Sequence, residues 1–215
     1  MTTLQQRILS SLILAPLVIA AIWFGSWPFW IMLLVAFAIG VYEWTSVAQK
    51  TDVDLPVSIF GILYIAFGMA CFGVLRDQGI LVVVLLICAV WMSDIGGYVA
   101  GRLIGGPKMA PSISPNKTWA GLGGAIVGSI LVFVGADIIS DLYNGGALLN
   151  IVYGTVIAVS GQAGDLLVSK LKRRAGVKDM SHLIPGHGGL LDRIDSLLLA
   201  APVFFFILKV AGALL

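Results

Sequence analysis

Charge is scarce in this 215-residue chain: 13 Lys and Arg with 11 Asp and Glu make up only 11% of it, where a soluble domain carries roughly 25%. That shortage excludes a free-standing soluble domain. A mean hydropathy of +1.02 and 59% hydrophobic residues place the protein in a membrane instead. Cysteine is also scarce, and Cys71 and Cys88 both fall in apolar runs. Two such thiols supply neither a disulfide framework nor a metal-ligand spacing, which leaves packing as their role. No repeat of fixed period, low-complexity tail or linker interrupts the chain, so one helical domain is expected over residues 1–215. The first apolar run lacks a small-residue cleavage site before a soluble domain, and it reads as a retained anchor rather than a signal peptide.

What is abundant is apolar length. Runs of about 20 residues, enough for a helix to cross the hydrocarbon core, occur near 8–24, 28–47, 56–75, 80–101, 119–139, 147–168 and 196–215. The expected fold is therefore all-α, a polytopic membrane bundle of about seven transmembrane helices. With the amino terminus inside, Arg7, Lys50 and the loops 102–118 and 169–195 share one side; of the 13 Lys and Arg, only Arg76 and Lys209 fall elsewhere. Because short cytoplasmic loops hold the Lys and Arg excess, that side should be cytoplasmic and should carry the active face. The compact form without a transit sequence favours a bacterial inner membrane. Most of the 26 glycines lie in or beside the runs, where small residues let helices approach.

The remaining polar residues are concentrated. Residues 169–195 hold both histidines and nine of the charged residues, around the turn Pro185-Gly186-His187-Gly188-Gly189. Upstream, Asp94 lies well inside the fourth run, with Arg102 eight residues later as a possible partner; an acid at that depth is costly and marks a site by default. The connection that follows carries Lys108, Ser112, Ser114, Asn116, Lys117 and Thr118. Lysines, hydroxyls and backbone N–H groups at a helix start can hold phosphate oxygens. The P-loop spacing is absent, and an ordinary basic connector fits the same residues. Asp165 and Ser169, four apart, share a helical face, with Lys172 and Arg173 two turns beyond Asp165. Asp192 and Asp195 are three apart at the start of the last run. Facing Asp165, they would offer the hard oxygen ligands that Mg²⁺ prefers; the plainer reading is salt bridges to Arg193 and Lys172. His187, among glycines and acids, is a further candidate for the site. Glu43, at the inner end of the second run, could enter it, and Asp137 with Asp141 should meet solvent on the opposite face.

Taken in order, Ser169-x-Leu171-Lys172-Arg173, Lys178-Asp179-x-Ser181 and Ile184-Pro185-x-His187-Gly188-Gly189-Leu190-x-Asp192-Arg193-Ile194-Asp195 resemble the full signature of the phosphatidate cytidylyltransferases. Asp94, Tyr98, Gly101-Arg102, Gly105 and Ile113-Ser114-Pro115-x-Lys117-Thr118-Trp119-x-Gly121 are similar to the family's other cytoplasmic block. Ala120 departs from it, standing where an acidic or amide residue is usual. The resemblance implies that CTP and phosphatidic acid give CDP-diacylglycerol and pyrophosphate, with Mg²⁺ and a monovalent cation such as K⁺. It implies Asp165, Asp192 and Asp195 as metal ligands with Ser169 as a further oxygen donor, and Lys172 and Asp94 beside them as catalytic groups. Lys172, Arg173, Lys178 and Arg193 would take nucleotide phosphates or pyrophosphate, and Lys117 with Ser114 and Asn116 would meet nucleotide or lipid phosphate. A homodimer is expected, and no nucleic-acid partner.

Two other readings fit a polar site in a helical membrane protein. One is a CTP-dependent polyprenol or phytol kinase. The other is a secondary transporter with Asp94 and Asp165 as intramembrane ion sites, which the clustering of polar residues at one face disfavours. A CDP-alcohol phosphatidyltransferase lacks support, because the D-G-x-x-A-R spacing is missing.

Overall fold

The structure is a computed structural model that describes residues 3–51, 54–139 and 146–212. Lipid offers the backbone no hydrogen-bond partner, so apolar runs of this length close their amides internally as helices. Among the described residues seven form: α1 (Thr3–Phe24), α2 (Ser26–Ala48), α3 (Asp54–Gln78), α4 (Ile80–Leu103), α5 (Trp119–Ile139), α6 (Gly146–Arg174) and α7 (Leu191–Val210). The first six are long and apolar enough to cross a membrane. The seventh matches the expected position, but Asp192, Arg193 and Asp195 crowd its start and Lys209 lies in its last turn. It is shielded by packing against α3 and α6.

Successive helices alternate in direction, which sorts the polar groups between two poles. The starts of α1, α3, α5 and α7 and the ends of α2, α4 and α6 form a charged pole. At the opposite pole Arg76 donates to the Ile22 and Trp23 carbonyls, at 2.5 and 3.0 Å, and Trp30 donates to Asp77. There Asp137 accepts from Asn150 at 3.0 Å and is half-buried, not free in solvent. Asp141 lies outside the described residues.

The core near the opposite pole is aromatic, with Phe133, Tyr153 and Phe204 mutually 5.7 to 6.0 Å apart. A second cluster of Trp44, Ile65, Leu171, Leu191 and Leu198 underlies the charged pole. Between α4 and α5 the backbones touch: a methyl group on Gly96 would lie 2.3 Å from the Gly124 carbonyl oxygen, and one on Gly128 the same distance from that of Met92. Small residues at such a seam gain close van der Waals packing where no hydrophobic force acts between helices. Asp94 lies on α4 between Met92 and Gly96, two of the residues that make this seam.

The 102–118 connection is more ordered than a basic loop. Its residues form a hairpin of β1 (Lys108–Ala110) and β2 (Ser114–Thr118), antiparallel, with Lys108 opposite Thr118 and Ala110 opposite Ser114. The Trp119 amide closes it on the Pro107 carbonyl at 3.1 Å. Pairing these amides internally allows the segment to lie against the bundle without orphaned backbone groups. Helix α6 runs to Arg174, past the apolar run that begins it, and this extension carries Ser169, Lys172 and Arg173 beyond the expected span.

Candidate functional site

The charged pole is organised by a residue from a distant helix. Glu43 on α2 is fully buried. Its Oε1 accepts from Ser181 Oγ at 2.6 Å and Leu190 N at 2.9 Å, and its Oε2 accepts from Leu191 N at 2.8 Å. No side chain of α7 caps that helix, so the Glu43 carboxylate does so from outside, where the helix dipole favours a negative charge. Gly189 lies so close that a methyl group there would sit 2.7 Å from Glu43 Oε1. Glu43 therefore does not enter the site as a ligand. It anchors the 175–190 loop to the start of α7.

Two lysine–aspartate pairs follow. Lys172 Nζ lies 2.7 Å from Asp192 Oδ1, and Asp192 Oδ2 accepts from the amides of Met180 at 2.8 Å and Gly189 at 3.0 Å. These two side chains are only 10% and 5% exposed. Both oxygens of Asp192 thus accept from protein donors. Asp192 and Lys172 hold the loop between α6 and α7. The second pair is more open: Lys117 Nζ, from the end of β2, lies 2.6 Å from Asp165 Oδ2, with side chains 18% and 30% exposed. Ser169 donates to Asp165 Oδ1 at 3.0 Å, one turn along α6 as its spacing predicts. An incoming phosphate could compete with Asp165 for Lys117.

Asp195 and Asp94 stand close enough to Asp165 for the three carboxylates to repel one another, and Lys117 and Lys172 offset that repulsion. Gly164 permits this approach, since a methyl group there would lie 2.6 Å from the Asp195 carbonyl oxygen. Asp94 Oδ1 is 3.4 Å from Gln162 Nε2. Its expected partner Arg102 is elsewhere, donating to Tyr98 Oη at 2.7 Å. The Tyr64 hydroxyl from α3 is buried with no hydrogen-bond partner and lies within electrostatic reach of Asp195. Sequence reasoning passed over it as one aromatic among many.

Among the described residues no group of three or more Asp, Glu, His or Cys side chains is set to hold a metal ion. A cage built wholly from protein side chains is therefore not what this pole offers. Asp165 and Asp195 supply hard oxygens beside an orphaned hydroxyl, a donor set that fits Mg²⁺, which takes one or two carboxylates and completes its shell with waters and substrate phosphates.

The other expected residues divide. Arg193 donates twice to the His187 carbonyl, at 3.0 and 2.5 Å, and does not pair with Asp192 or Asp195. His187 Nδ1 faces Ser10 of α1 at 2.9 Å, away from the acids, and it is Gly188 that borders Asp192. Arg173 reaches the Ile113 carbonyl at 3.1 Å and so ties α6 to the hairpin. Lys178 is exposed on the loop. Along β2, Asn116 is exposed while Ser114 and Lys117 are half-buried, and the hairpin register shifts between its two paired positions.

The sequence profile described as the cytidylyltransferase family matches residues 5–75 and 53–211. A phosphatidate cytidylyltransferase of Rickettsia felis is 35% identical over 210 residues, covering 94% of this chain and 90% of the relative. One of Rickettsia bellii is 33% identical over 213 residues, covering 96% and 91%. One of Staphylococcus epidermidis is 36% identical over 188 residues, covering 86% of this chain and 72% of the relative.

Proposed function

The chain belongs to the cytidylyltransferase family, and from that premise we propose that it is a phosphatidate cytidylyltransferase, making CDP-diacylglycerol and pyrophosphate from CTP and phosphatidic acid. The observation that carries the reading is the Lys117–Asp165 pair at the charged pole, within electrostatic reach of Asp195 and Asp94. Such a site suits two anionic substrates that must be brought together.

In the reaction an oxygen of the lipid phosphate attacks the α-phosphorus of CTP. The new P–O bond forms as the bond to the bridging oxygen of the β-phosphate breaks, and pyrophosphate leaves. The attacking phosphomonoester is already largely ionised at neutral pH, so the protein supplies no nucleophile. Its work is positioning and charge stabilisation. Lys117 exchanges Asp165 for a phosphate oxygen, and the exposed Lys178 offers charge to the departing pyrophosphate. Arg193 and Arg173 hold the loop and the hairpin in place through backbone carbonyls. Ser169 orients Asp165, while Lys172 and Asp192 fix the first turn of α7 and hence Asp195. Asp165 and Asp195 would hold Mg²⁺, with K⁺ as a second ion near Asp94. Bound there, Mg²⁺ would offset phosphate charge and polarise the transferring group.

The charged pole faces the cytoplasm of a bacterial inner membrane in this proposal, a reading supported by the Lys and Arg bias. A homodimer belongs to it on the family resemblance. The test is purified protein in detergent with Mg²⁺, phosphatidic acid and CTP labelled at either the α- or the γ-phosphate. Label from the α-position in lipid, with equal pyrophosphate, is expected. Transfer of the γ-label to a lipid alcohol would make the protein a kinase instead.

A further inference from the structure

Tyrosine in a membrane span ordinarily sits at headgroup level, with its ring in lipid and its hydroxyl in water. Tyr64 does not. It follows Asp54, where α3 starts, by ten residues, about 15 Å along the helix. Its hydroxyl is buried with no hydrogen-bond partner among the described residues, although buried polar groups are paired almost everywhere in folded proteins. A phenylalanine would fill the same space and strand nothing.

The ring that carries this hydroxyl is wedged between aromatic neighbours. Phe60, one turn back on α3, stacks on it at 7° with ring centres 5.9 Å apart, and Trp44 of α2 lies against it at 6.2 Å. Trp44 is fixed in turn by donating from Nε1 to the Val57 carbonyl at 2.8 Å. The hydroxyl is thereby set at the close approach of α6 to α7: a methyl group on Gly164 would lie 3.4 Å from Tyr64 Oη and 2.6 Å from the Asp195 carbonyl oxygen. Gly164 directly precedes Asp165, so the hydroxyl stands where the helices bearing these two acids come together. Asp195 is the charged group within its electrostatic reach. That carboxylate accepts through Oδ1 from the amide of its own neighbour Ser196 at 2.7 Å, and among the described residues no donor meets its Oδ2.

We propose that Tyr64 is the positioning residue of Asp195: its hydroxyl donates to the Asp195 carboxylate and turns that acid from the Ser196 amide toward Asp165, into the orientation that holds the ion. The proposal rests on the cytidylyltransferase reading and on Asp165 and Asp195 as the residues that would hold Mg²⁺. A carboxylate folded back on the next amide of its own chain is a local arrangement that competes with other partners. A donor on a neighbouring helix instead fixes the orientation of the ligating group. Losing such a partner lowers metal affinity about 10- to 100-fold. The Tyr64→Phe protein should therefore need at least about tenfold more Mg²⁺, with the KM for phosphatidic acid unchanged.

The test titrates Mg²⁺ alone into full-length wild-type, Tyr64→Phe and Tyr153→Phe proteins in detergent after treatment with chelator, reads each by thermal melts, and assays the same preparations for CDP-lipid formation. Ion-free Tyr64→Phe should melt no lower than the wild type, because its hydroxyl gives up no hydrogen bond. The Mg²⁺ concentration that gives half of the full Tm gain should rise about tenfold. Tyr153→Phe removes a hydroxyl from the aromatic core near the opposite pole and should leave that concentration as it is. An unchanged half-point in Tyr64→Phe would overturn the proposal, as would an equal shift in Tyr153→Phe. Tyr64→Phe that melts lower without the ion and needs no more Mg²⁺ would make the tyrosine a packing residue and overturn it too. So would wild-type protein that forms CDP-lipid yet gains no Tm from Mg²⁺ alone. Wild-type protein that forms no CDP-lipid takes down the parent reading and this one with it, a result distinct from each of the others.

Discussion

Replacing Glu43 by glutamine removes a charge and almost no volume, and its consequences follow from three hydrogen bonds. With the amide oxygen in place of Oε1, the bonds from Ser181 and Leu190 survive as weaker neutral ones. The amide nitrogen then faces the Leu191 N–H, which has lost its acceptor in a place without solvent. A bond to a charged acceptor is worth about 1.5–3 kcal/mol, and a stranded buried donor costs about 1–3 kcal/mol. Relief from burying a charge offsets part of this, and the net destabilisation should be about 3 kcal/mol. For a chain of this size that lowers the Tm by roughly 6–12 °C. Heating purified protein in detergent and following the loss of its monodisperse chromatographic peak reads the shift. The kcat for CDP-lipid formation should fall as well, because the freed turn is the one that carries Asp195. A Glu43→Gln protein that melts within a degree or two of the wild type and turns over normally would refute the reasoning.

Gly164→Ala places a methyl group 2.6 Å from the Asp195 carbonyl oxygen and should cost about 1–3 kcal/mol with reduced turnover. Its control is Gly161→Ala, where the nearest neighbour is 3.6 Å away; equal effects of the two in paired melts and assays would remove the close α6–α7 approach from the account. Lys117→Met should raise the KM for CTP roughly tenfold and also lower the Tm, since the Lys117 nitrogen is buried and its loss leaves Asp165 without a cation; steady-state kinetics with varied CTP and a paired melt decide this. EDTA should stop transfer and added Mg²⁺ should restore it, and undiminished activity in EDTA would leave Asp165 and Asp195 without a metal to hold.

Much of the fold was legible because lipid permits so few choices: an apolar run near 20 residues has to be a helix, and the Lys and Arg bias orders the ends. The hairpin was not legible, because Lys108–Thr118 has two prolines and two serines in place of a long alternating pattern. Asp94 and Arg102 illustrate a different limit. Eight residues are about 12 Å along a helix, too far for a direct pair, and Arg102 takes Tyr98 one turn away instead. The acids of the site were recognisable as types, but not their division of work. Asp192 and Asp195 look alike in sequence, yet the loop amides of Met180 and Gly189 bond the first, while the second accepts from the Ser196 amide and lies within electrostatic reach of Asp165. Glu43 was visible as an acid at the inner end of the second run that could enter the site. Its partners at Ser181, Leu190 and Leu191 lie 138 to 148 residues away, a distance that only the folded chain closes.

The central claim is that the pole where Asp165 meets Lys117 and Asp195 carries out cytidylyl transfer. The most direct test is transfer of α-labelled CTP to phosphatidic acid by an Asp165→Asn protein that elutes and melts as the wild type does. Removing one charge-organising group from a preorganised site costs roughly 10²–10³ in rate, so label in lipid should fall by at least that factor. Wild-type labelling by that variant would contradict the account and place the chemistry elsewhere.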